Sequence, residues 1–187
     1  MYRLLSYLLL SLSLAALCAC SSGDDGEDQY AAICPVDITY NGTWTIGGRQ
    51  LPGMMIVSAS QFSYPEFPMQ QLLSALFPDQ SVACAPATYA MEYQLQGTSG
   101  KAAYLHLRDN VWRTTVQMDG EERIVLLKFV TLPASMGVQS VSQATYSQMS
   151  DSYLVSLGLT AVEVTDADGN EIVNRSCGMN ILFHTKK

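Results

Sequence analysis

Residues 88–131 decide the fold class, and they read TYAMEYQLQGTSGKAAYLHLRDNVWRTTVQMDGEERIVLLKFVT. Through most of this stretch apolar and polar side chains alternate, beginning with Tyr89 and Met91 between polar or small neighbours. A period of two is the pattern of a strand with one buried face. Turn residues separate the runs, most clearly Asp119-Gly120, which is a strong two-residue hairpin signal. The stretch predicts four antiparallel strands joined as a meander.

Strand-forming residues continue on both sides of this block. Residues 36–46 and 54–62 predict two earlier strands, joined through a turn that contains two glycines. Residues 153–165 and 171–184 predict two later strands. The sequence therefore predicts an all-β fold of about eight mainly antiparallel strands, arranged as a sandwich or a partly closed barrel.

Two glycines and one long connection modify this pattern. Gly42 lies inside the first predicted strand and suggests a β-bulge, and Gly158 suggests a bend in a later strand. Residues 132–152 are rich in Ser, Gln and Thr. They predict a long connection with room for one short strand.

One short helix is predicted near residues 68–77. Pro68 suits the first turn of a helix, and Pro78 ends the pattern. Apolar residues between them recur at the spacing of one helical face. They are Met69, Leu72, Leu73 and Leu76. Because so short a helix is unstable alone, we expect it to pack on the β core. A plain cap on the core is favoured over a lid above a ligand cavity.

The first 19 residues have the pattern of a secretory signal, with a short basic start, an apolar run and small residues. Two cysteines compete for lipidation at its end. Cys20 follows Ala19, and a small residue is what the signal peptidase accepts at the cleaved bond. Cys18 follows the bulky Leu17. We therefore expect a lipoprotein signal peptide over residues 1–19 and acylation of Cys20. An ordinary secretory signal or a buried N-terminal helix is the alternative.

The segment after the signal indicates where the protein lies. Residues 20–33 are predicted to be an acidic flexible tether, and residues 34–187 a single β domain. Acylation would anchor the protein to a membrane. By resemblance to known lipoprotein sorting, Ser21 favours the outer membrane. The acidic residues 24–28 look like the surface-export tether of Bacteroidetes lipoproteins, and a solvated spacer is the alternative.

The charge balance excludes one class of partner. The chain has a formal net charge of −7 at pH 7, and its basic residues form no cluster. An acidic chain of this kind is not expected to bind nucleic acid or anionic head groups.

Three cysteines follow the lipidation site, namely Cys34, Cys84 and Cys177. An oxidising compartment would allow one disulfide and leave one thiol. Three pairings are possible, and the sequence does not choose among them. Cys34–Cys177 is slightly preferred, because the first and last strands of a β domain often lie side by side. Three unpaired cysteines are the alternative. A zinc site is not expected, since the chain has no Cys-x-x-Cys and neither histidine has ligand spacing to a cysteine.

No motif in the chain predicts catalysis. His106 is predicted on the outward side of a strand with Tyr104 and Arg108, and spacing shows neither a nucleophile nor an orienting acid near it.

Residues 166–171 are rich in oxygen-bearing side chains. They lack the glycine position and the helices of an EF-hand calcium loop, so a hairpin turn is favoured. We expect no enzyme activity, no metal and no cofactor.

Aromatic residues give the one hint of a ligand. Tyr40, Trp44, Trp112 and the remaining tyrosines could form a platform for sugars. Aromatic residues on strands are more often part of the core, and Trp112 shares its predicted face with Val116 and Met118. Core positions are therefore the favoured interpretation.

Several segments together resemble a family of small Bacteroidales surface lipoproteins with a C-terminal β domain of unknown function. They are the leader with its acidic tether, FPMQQLL at residues 67–73, the block at 88–131, and LGLTAVEV at 157–164 before the final hairpin. The resemblance covers nearly the whole chain and implies a lipid anchor. The family has no assigned activity, so it assigns no functional residue here.

These patterns predict a lipid-anchored, surface-exposed outer-membrane lipoprotein whose β domain binds a ligand or partner without catalysis. The candidates are a glycan, a small apolar molecule or a surface protein, and the sequence identifies no ligand-binding residues. The alternative is a structural or accessory subunit of a cell-surface assembly. A deep pocket under residues 65–78 would favour a ligand, and a long unpaired edge strand would favour the accessory role. An enzyme would need a cleft that gathers His106 or His184 with carboxylates.

Overall fold

The computed structural model describes residues 33–130 and 141–186. The leader, Cys20 and nearly all of the acidic tether therefore lie outside the described residues, as do residues 131–140 and Lys187. The signal peptide and the lipid anchor accordingly stay predictions.

Eleven strands and one helix make up the described parts of the chain. The strands are β1 (Ile38–Ile46), β2 (Arg49–Val57), β3 (Gln61–Tyr64), β4 (Val82–Ala83), β5 (Tyr89–Ser99), β6 (Ala102–Leu107), β7 (Asn110–Met118), β8 (Glu121–Phe129), β9 (Gln143–Ser147), β10 (Ser152–Thr165) and β11 (Glu171–Lys186). The helix α1 (Met69–Leu76) lies between β3 and β4 in the chain.

The strands form one antiparallel sheet in the order β11-β1-β2-β3-β5-β6-β9-β10-β8-β7-β4. β10 also pairs with β11, so eight strands form a partial ring, and β8, β7 and β4 extend the sheet beyond it. The predicted all-β fold is confirmed. The strands outnumber the prediction because one predicted strand is divided into β2 and β3. In addition, β4 and β9 have only two and five residues and leave a weak pattern.

The four strands of residues 88–131 are present, but they form two separate hairpins instead of a meander. β5 pairs with β6 and β7 with β8, whereas β6 pairs with β9 and β7 with β4. The side-chain amide of Asn110 and the indole N–H of Trp112 donate to the carbonyl of Ala90, at 2.9 and 3.0 Å. These bonds hold the start of β7 beside β5. Alternation predicts which side chains face inward, but it does not say which strand edges meet.

The β7–β8 hairpin turns at the predicted residues. Asp119 and Gly120 both have positive φ, at 52° and 83°, which is typical of a type I′ turn. The turn also fixes the segment that leads into β4. Asp119 Oδ1 accepts a hydrogen bond from the backbone N–H of Ser81 at 2.8 Å, and the Asp119 N–H donates to the Ser81 carbonyl at 2.9 Å.

Gly42 does not mark a bulge, since the β1–β2 register is continuous across the Gly42–Gly53 pair. The two glycines instead leave room for aromatic rings. A Cβ on Gly42 would lie 2.5 Å from the ring of Phe183, and one on Gly53 would lie 2.3 Å from the indole of Trp44. Glycine is needed at both positions because the rings occupy the space of a side chain.

Aromatic side chains fill much of the interior. The largest that are almost fully buried are Trp44, Tyr64, Tyr153, Phe62, Phe129 and Phe183. The ring centroid of Trp44 lies 4.8 Å from that of Phe67 and 4.6 Å from that of Phe183. Tyr40 and Trp112 are 6% and 3% exposed. Tyr40, Trp44 and Trp112 are therefore core residues, as favoured, whereas Tyr104, another of the tyrosines considered for a sugar platform, is 44% exposed.

Helix α1 matches the predicted helix and caps the core. Pro68 occupies its N-cap, and the four residues of the apolar stripe are buried. Arg175 of β11 holds the other end of the helix. Its guanidinium carbon lies 4.7 Å from the ring centroid of Phe77, and it donates a hydrogen bond to the Leu76 carbonyl. The end of α1 is thus tied to the last strand.

β10 belongs to the partial ring and also joins it to the strands β8, β7 and β4. Its first half pairs with β9 and its second half with β8, while β11 lies along the other edge. The alternation of buried side chains changes between Leu159 and Ala161, where the β10–β11 register shifts, close to the bend predicted at Gly158. The buried Thr160 hydroxyl donates to the Lys128 carbonyl at 3.0 Å. This irregularity accompanies the change of partner from β9 to β8.

Candidate functional site

The outward side of the partial ring carries a group of side chains that we call the neutral face. It comprises outward residues of β1, β6 and β9 and of the segments of β10 and β11 that pair with them. Its ten residues are Thr43, Thr45, Tyr104, His106, Gln143, Thr145, Leu154, Ser156, Leu182 and His184. None of these is Asp, Glu, Lys or Arg, although the whole chain has a formal net charge of −7.

The strand register arranges the neutral face in two rows, each of which crosses five strands. The first row is Tyr104, Thr145, Leu154, His184 and Thr43. The second row is His106, Gln143, Ser156, Leu182 and Thr45. Since neighbouring strands lie about 4.8 Å apart, each row extends over roughly 20 Å. The face is therefore a continuous surface that joins distant parts of the sequence.

Three apolar side chains of the neutral face are exposed. The exposed fractions are 44% for Tyr104, 51% for Leu154 and 37% for Leu182. The other members of the face carry hydroxyl, amide or imidazole groups. A surface of this kind offers apolar contact together with hydrogen-bond donors and acceptors, but no ionic pairing.

Charged side chains lie on other parts of the sheet, and the exposed ion pair of Arg108 with Glu92 borders the neutral face beside His106. Lys128 of β8 pairs with Glu163 of β10, and Arg123 pairs with Glu121 at the β7–β8 hairpin. Arg113 is exposed on β7. The lack of charge on the neutral face is therefore a local property and not a feature of the whole surface.

The structure places both histidines on the neutral face but does not bring them together. His106 lies on β6 and His184 on β11, three strand spacings apart in the ring, which corresponds to about 14 Å. In register, His106 has Gln94 and Gln143 beside it. Amide neighbours can share hydrogen bonds with an imidazole, but they do not supply the carboxylate that would orient a catalytic base.

Cys34, Cys84 and Cys177 are free thiols in the structure. The preferred Cys34–Cys177 disulfide is not formed, although β1 and β11 do lie side by side. Residues 41–45 pair with 182–186 in antiparallel register, so Cys34 precedes one end of the paired segment and Cys177 lies beyond the other. A disulfide needs Cα atoms within about 7 Å, and a strand advances about 3.3 Å per residue. The expected Cys34–Cys177 disulfide is therefore not found in the structure. Two strands can be neighbours while the two cysteines lie far apart along the strand direction.

The three thiols are poorly suited to nucleophilic chemistry. Burial raises the pKa of Cys34 to about 11, and a hydrogen bond with Tyr153 opposes this only in part. Burial also raises the pKa of Cys84 and of Cys177, where the charge of Arg175 acts in the opposite direction. A thiol with a raised pKa has little thiolate at neutral pH.

A carboxylate bonded by two tyrosines connects β1 to the β9–β10 hairpin. Asp151 lies in that turn with a φ of 45°. Its Oδ1 accepts hydrogen bonds from the hydroxyls of Tyr40, at 2.8 Å, and Tyr146, at 3.0 Å. Burial is the main cause that raises the pKa of Tyr146 to about 12, and the hydrogen bond and charge of Asp151 add to it. Because both hydroxyls are already bonded, this cluster is a structural clamp.

Residues 166–170 form the hairpin turn that was favoured over a calcium loop. Asp166 accepts hydrogen bonds from the side-chain amide and the backbone N–H of Asn170, both at 2.8 Å. The side-chain bond is the main cause that lowers the pKa of Asp166. Within residues 33–130 and 141–186, no group of three or more His, Cys, Asp or Glu side chains is placed to hold a metal ion.

Small depressions surround α1 on the surface. One, of about 280 Å³, is lined by residues 66–71 and 84–86. Another, of about 330 Å³, lies beside the β1–β2 turn and includes Ser74 and Met179. The first is just below, and the second just above, the smallest volumes typical of small-molecule sites. The residues of α1 that face the core are buried, so the helix packs as a plain cap.

Comparison of the chain with protein-family models, with curated proteins and with solved structures finds no significant match. The described segments contain no helix with the length and apolarity needed to cross a membrane. The resemblance to small Bacteroidales surface lipoproteins therefore stays a prediction that depends on the sequence motifs alone.

The neutral face was only partly visible in the sequence. Alternation correctly predicts that Tyr104 and His106 point outward. A further signal was present, because residues 102–107, 143–147 and 176–185 contain no Asp, Glu, Lys or Arg. The missing information was adjacency, since only the pairing of β6 with β9 and of β9 with β10 joins these segments into one surface.

Proposed function

We propose that this protein is a lipid-anchored, surface-exposed outer-membrane lipoprotein whose β domain binds a ligand or partner without catalysing a reaction. The signal pattern before Cys20 supports the anchor. The observation that carries the binding role is the neutral face, which exposes apolar side chains among uncharged polar groups. Exposed apolar side chains grouped with polar ones are typical of interaction sites.

The chemistry of the described side chains favours binding over catalysis. The thiols have raised pKa values, and His106 and His184 are separated by about 14 Å. Neither histidine has a carboxylate as its cross-strand neighbour. An acid–base or nucleophilic mechanism needs such groups within hydrogen-bond reach of one another.

Metabolic labelling with an alkynyl fatty acid tests the anchor. In the full-length chain, expressed in a bacterium that processes lipoproteins, we expect the wild type to carry the label and Cys20→Ala to lose it. Cys18→Ala is the matched control and should keep the label. Label that persists in Cys20→Ala and disappears in Cys18→Ala would show that Cys18, not Cys20, carries the lipid. An unlabelled wild type would refute the lipid anchor.

Protease treatment of intact cells tests surface exposure. An externally added protease should remove the β domain while a periplasmic marker stays intact. Complete protection of the domain in cells, together with cleavage after lysis, would contradict a surface location.

One observation favours the accessory-subunit alternative. Residues 171–181 of β11 pair with β10 on one edge, and no described strand pairs with the other edge. Ile172 in this segment is 48% exposed. An open strand edge can accept a strand from another chain. A stoichiometric partner that copurifies with the wild type and is lost in Ile172→Lys would favour this role.

A further inference from the structure

Tyr104 stands out among the aromatic residues. It is 44% exposed, whereas its neighbours Ala103 and Leu105 are 0% and 1% exposed, so its ring lies on the outward side of β6. Among the residues that the structure describes, it is the only Phe, Tyr or Trp side chain that is exposed rather than buried. No hydrogen bond or ring contact joins its side chain to another described residue. One face of its ring is thus available for contact.

Open space lies beside this ring on the neighbouring strand. Gly97 of β5 pairs with Tyr104, next to the register shift that follows Leu95. A Cβ on Gly97 would meet no heavy atom within 4 Å, and Gly97 is not among the glycines with positive φ. Neither packing nor backbone conformation therefore requires glycine here. The effect of the glycine is to leave one side of the tyrosine uncovered.

Three hydrogen-bonding side chains form a row next to Tyr104. His106 lies two residues further along β6 and pairs with Gln94 of β5 and Gln143 of β9. Their side chains form no hydrogen bond with another described residue. An amide offers two N–H donors and an acceptor oxygen, and a neutral imidazole offers one donor and one acceptor. Neighbouring hydroxyl groups, each both donor and acceptor, are well matched by such a row.

We propose that the β6 side of the neutral face, together with Gln94 and Gly97 of the adjoining strand β5, binds a neutral carbohydrate. A sugar ring stacks on Tyr104 above Gly97, and its hydroxyls form hydrogen bonds with the row of His106, Gln94 and Gln143. The inference rests on the proposed binding function and names the ligand class for it.

The side chains proposed to contact the sugar carry no charge, and this decides the ligand class. Arg108 and Glu92 lie two residues beyond His106 and Gln94, but they form an ion pair with each other at 3.3 Å. The neutral face provides no Arg or Lys for a uronic acid, sulfate or phosphate, and no Asp or Glu for a cationic ligand. A charged group buried against it would lose hydration without gaining an ionic partner. A second copy of this chain fits less well, because homodimer interfaces have mostly apolar centres. Here Thr145 separates Tyr104 from Leu154 in the row.

Binding to immobilised oligosaccharides tests the proposal with the full-length protein in detergent. The set should contain neutral oligosaccharides, uronic-acid and sulfated ones, and a detergent blank, with calorimetry for each sugar that binds. We expect binding to neutral sugars only. Tyr104→Ala should weaken it about tenfold or more, as loss of an aromatic contact implies. Gly97→Val should do the same by filling the open space without removing a contact.

Val111→Ala is the matched control, because Val111 is 47% exposed on β7 and lies outside the neutral face. It should leave the affinity unchanged. Thermal unfolding of each variant separates lost binding from lost folding, and Gly97→Val is expected to melt like the wild type. Three results would overturn the proposal. They are a wild type that does not bind neutral sugars, a wild type that prefers charged sugars, and full affinity in folded Tyr104→Ala and Gly97→Val.

Two further readouts identify which inference fails. A dimer in light scattering that Tyr104→Ala dissociates, without sugar binding, would show that the face joins two copies and that the carbohydrate proposal is wrong. A lipid-labelled, protease-accessible protein that binds no sugar overturns the carbohydrate inference alone. Sugar binding by a chain that carries no lipid overturns the anchor alone.

Discussion

At the scale of single residues, the glycine pair of β1 and β2 controls how the aromatic core closes. Gly53→Ala places a Cβ 2.3 Å from the indole of Trp44. We expect this overpacking to lower the free energy of unfolding by about 1–3 kcal/mol. Urea denaturation followed by tryptophan fluorescence measures the change.

Gly97→Ala is the matched control for this prediction. Its added Cβ would meet no heavy atom within 4 Å, so the change should stay within about 0.5 kcal/mol of the wild type. A second variant identifies the cause, since Trp44→Phe should make Gly53→Ala less costly than it is beside the indole. Equal unfolding midpoints for Gly53→Ala and Gly97→Ala would contradict the steric explanation.

At the scale of elements, α1 depends on its apolar face for its stability in the fold. Leu73 is 0% exposed, and a helix of eight residues is unstable alone. Leu73→Ala should therefore lower the free energy of unfolding by about 2–5 kcal/mol. Ser74→Ala, at an exposed position of the same helix, should change it by less than about 0.5 kcal/mol. Chemical denaturation of both variants tests this, and similar values for the two would refute the role of α1 as a cap.

Elements differ in how far the sequence predicts them. α1 and the turn at Asp119-Gly120 are correctly predicted because their signals come from residues close together in the chain. The joining of β6 to β9 is not predicted, because Leu105 and its partner Ala144 are separated by the β7–β8 hairpin and by a connection of ambiguous pattern. The bulge predicted at Gly42 is wrong, because a glycine in a strand is compatible either with a bulge or with an aromatic ring that packs across it. The sequence near Gly42 does not show which of the two occurs.

At the scale of the whole molecule, buried protonated groups predict a loss of stability in alkali. Burial raises the pKa of Cys34 from 9.0 to about 11 and that of Tyr146 from 10.0 to about 12, and the pKa of Tyr40 also rises. A group that holds its proton more tightly when folded contributes stability that is complete below its unfolded pKa. That contribution disappears as the pH rises through the folded pKa. We expect the contribution of these groups to be constant below about pH 9 and to fall between about pH 9 and pH 12.

Urea denaturation at a series of pH values measures this fall. Cys34→Ala should flatten the curve between about pH 9 and pH 11, and Tyr146→Phe should flatten it between about pH 10 and pH 12. The two variants act as controls for one another because their windows differ. A wild-type curve that stays level up to pH 12, or variants that keep its full slope, would contradict the prediction.

The candidate site shows the same division between local and distant information. The outward direction of Tyr104 and His106 follows from alternation within β6. The row of His106 with Gln94 and Gln143 depends on two strand pairings, and the pairing with β9 crosses a long connection. The expected Cys34–Cys177 disulfide is not formed because of the strand register. β1 and β11 are neighbours, but the two cysteines lie beyond opposite ends of their paired segment.

The sequence by itself determined the strand character of the chain, the buried side of most strands, the short helix and the main turns. Each depends on residues within a few positions of one another, where periodicity and turn preferences act. Only the tertiary structure decided the order of the strands, the use of Gly42 and Gly53 as space for rings, and the neutral face. Those features depend on which strand edges meet, and that choice is made by the packing of side chains from distant segments into one core.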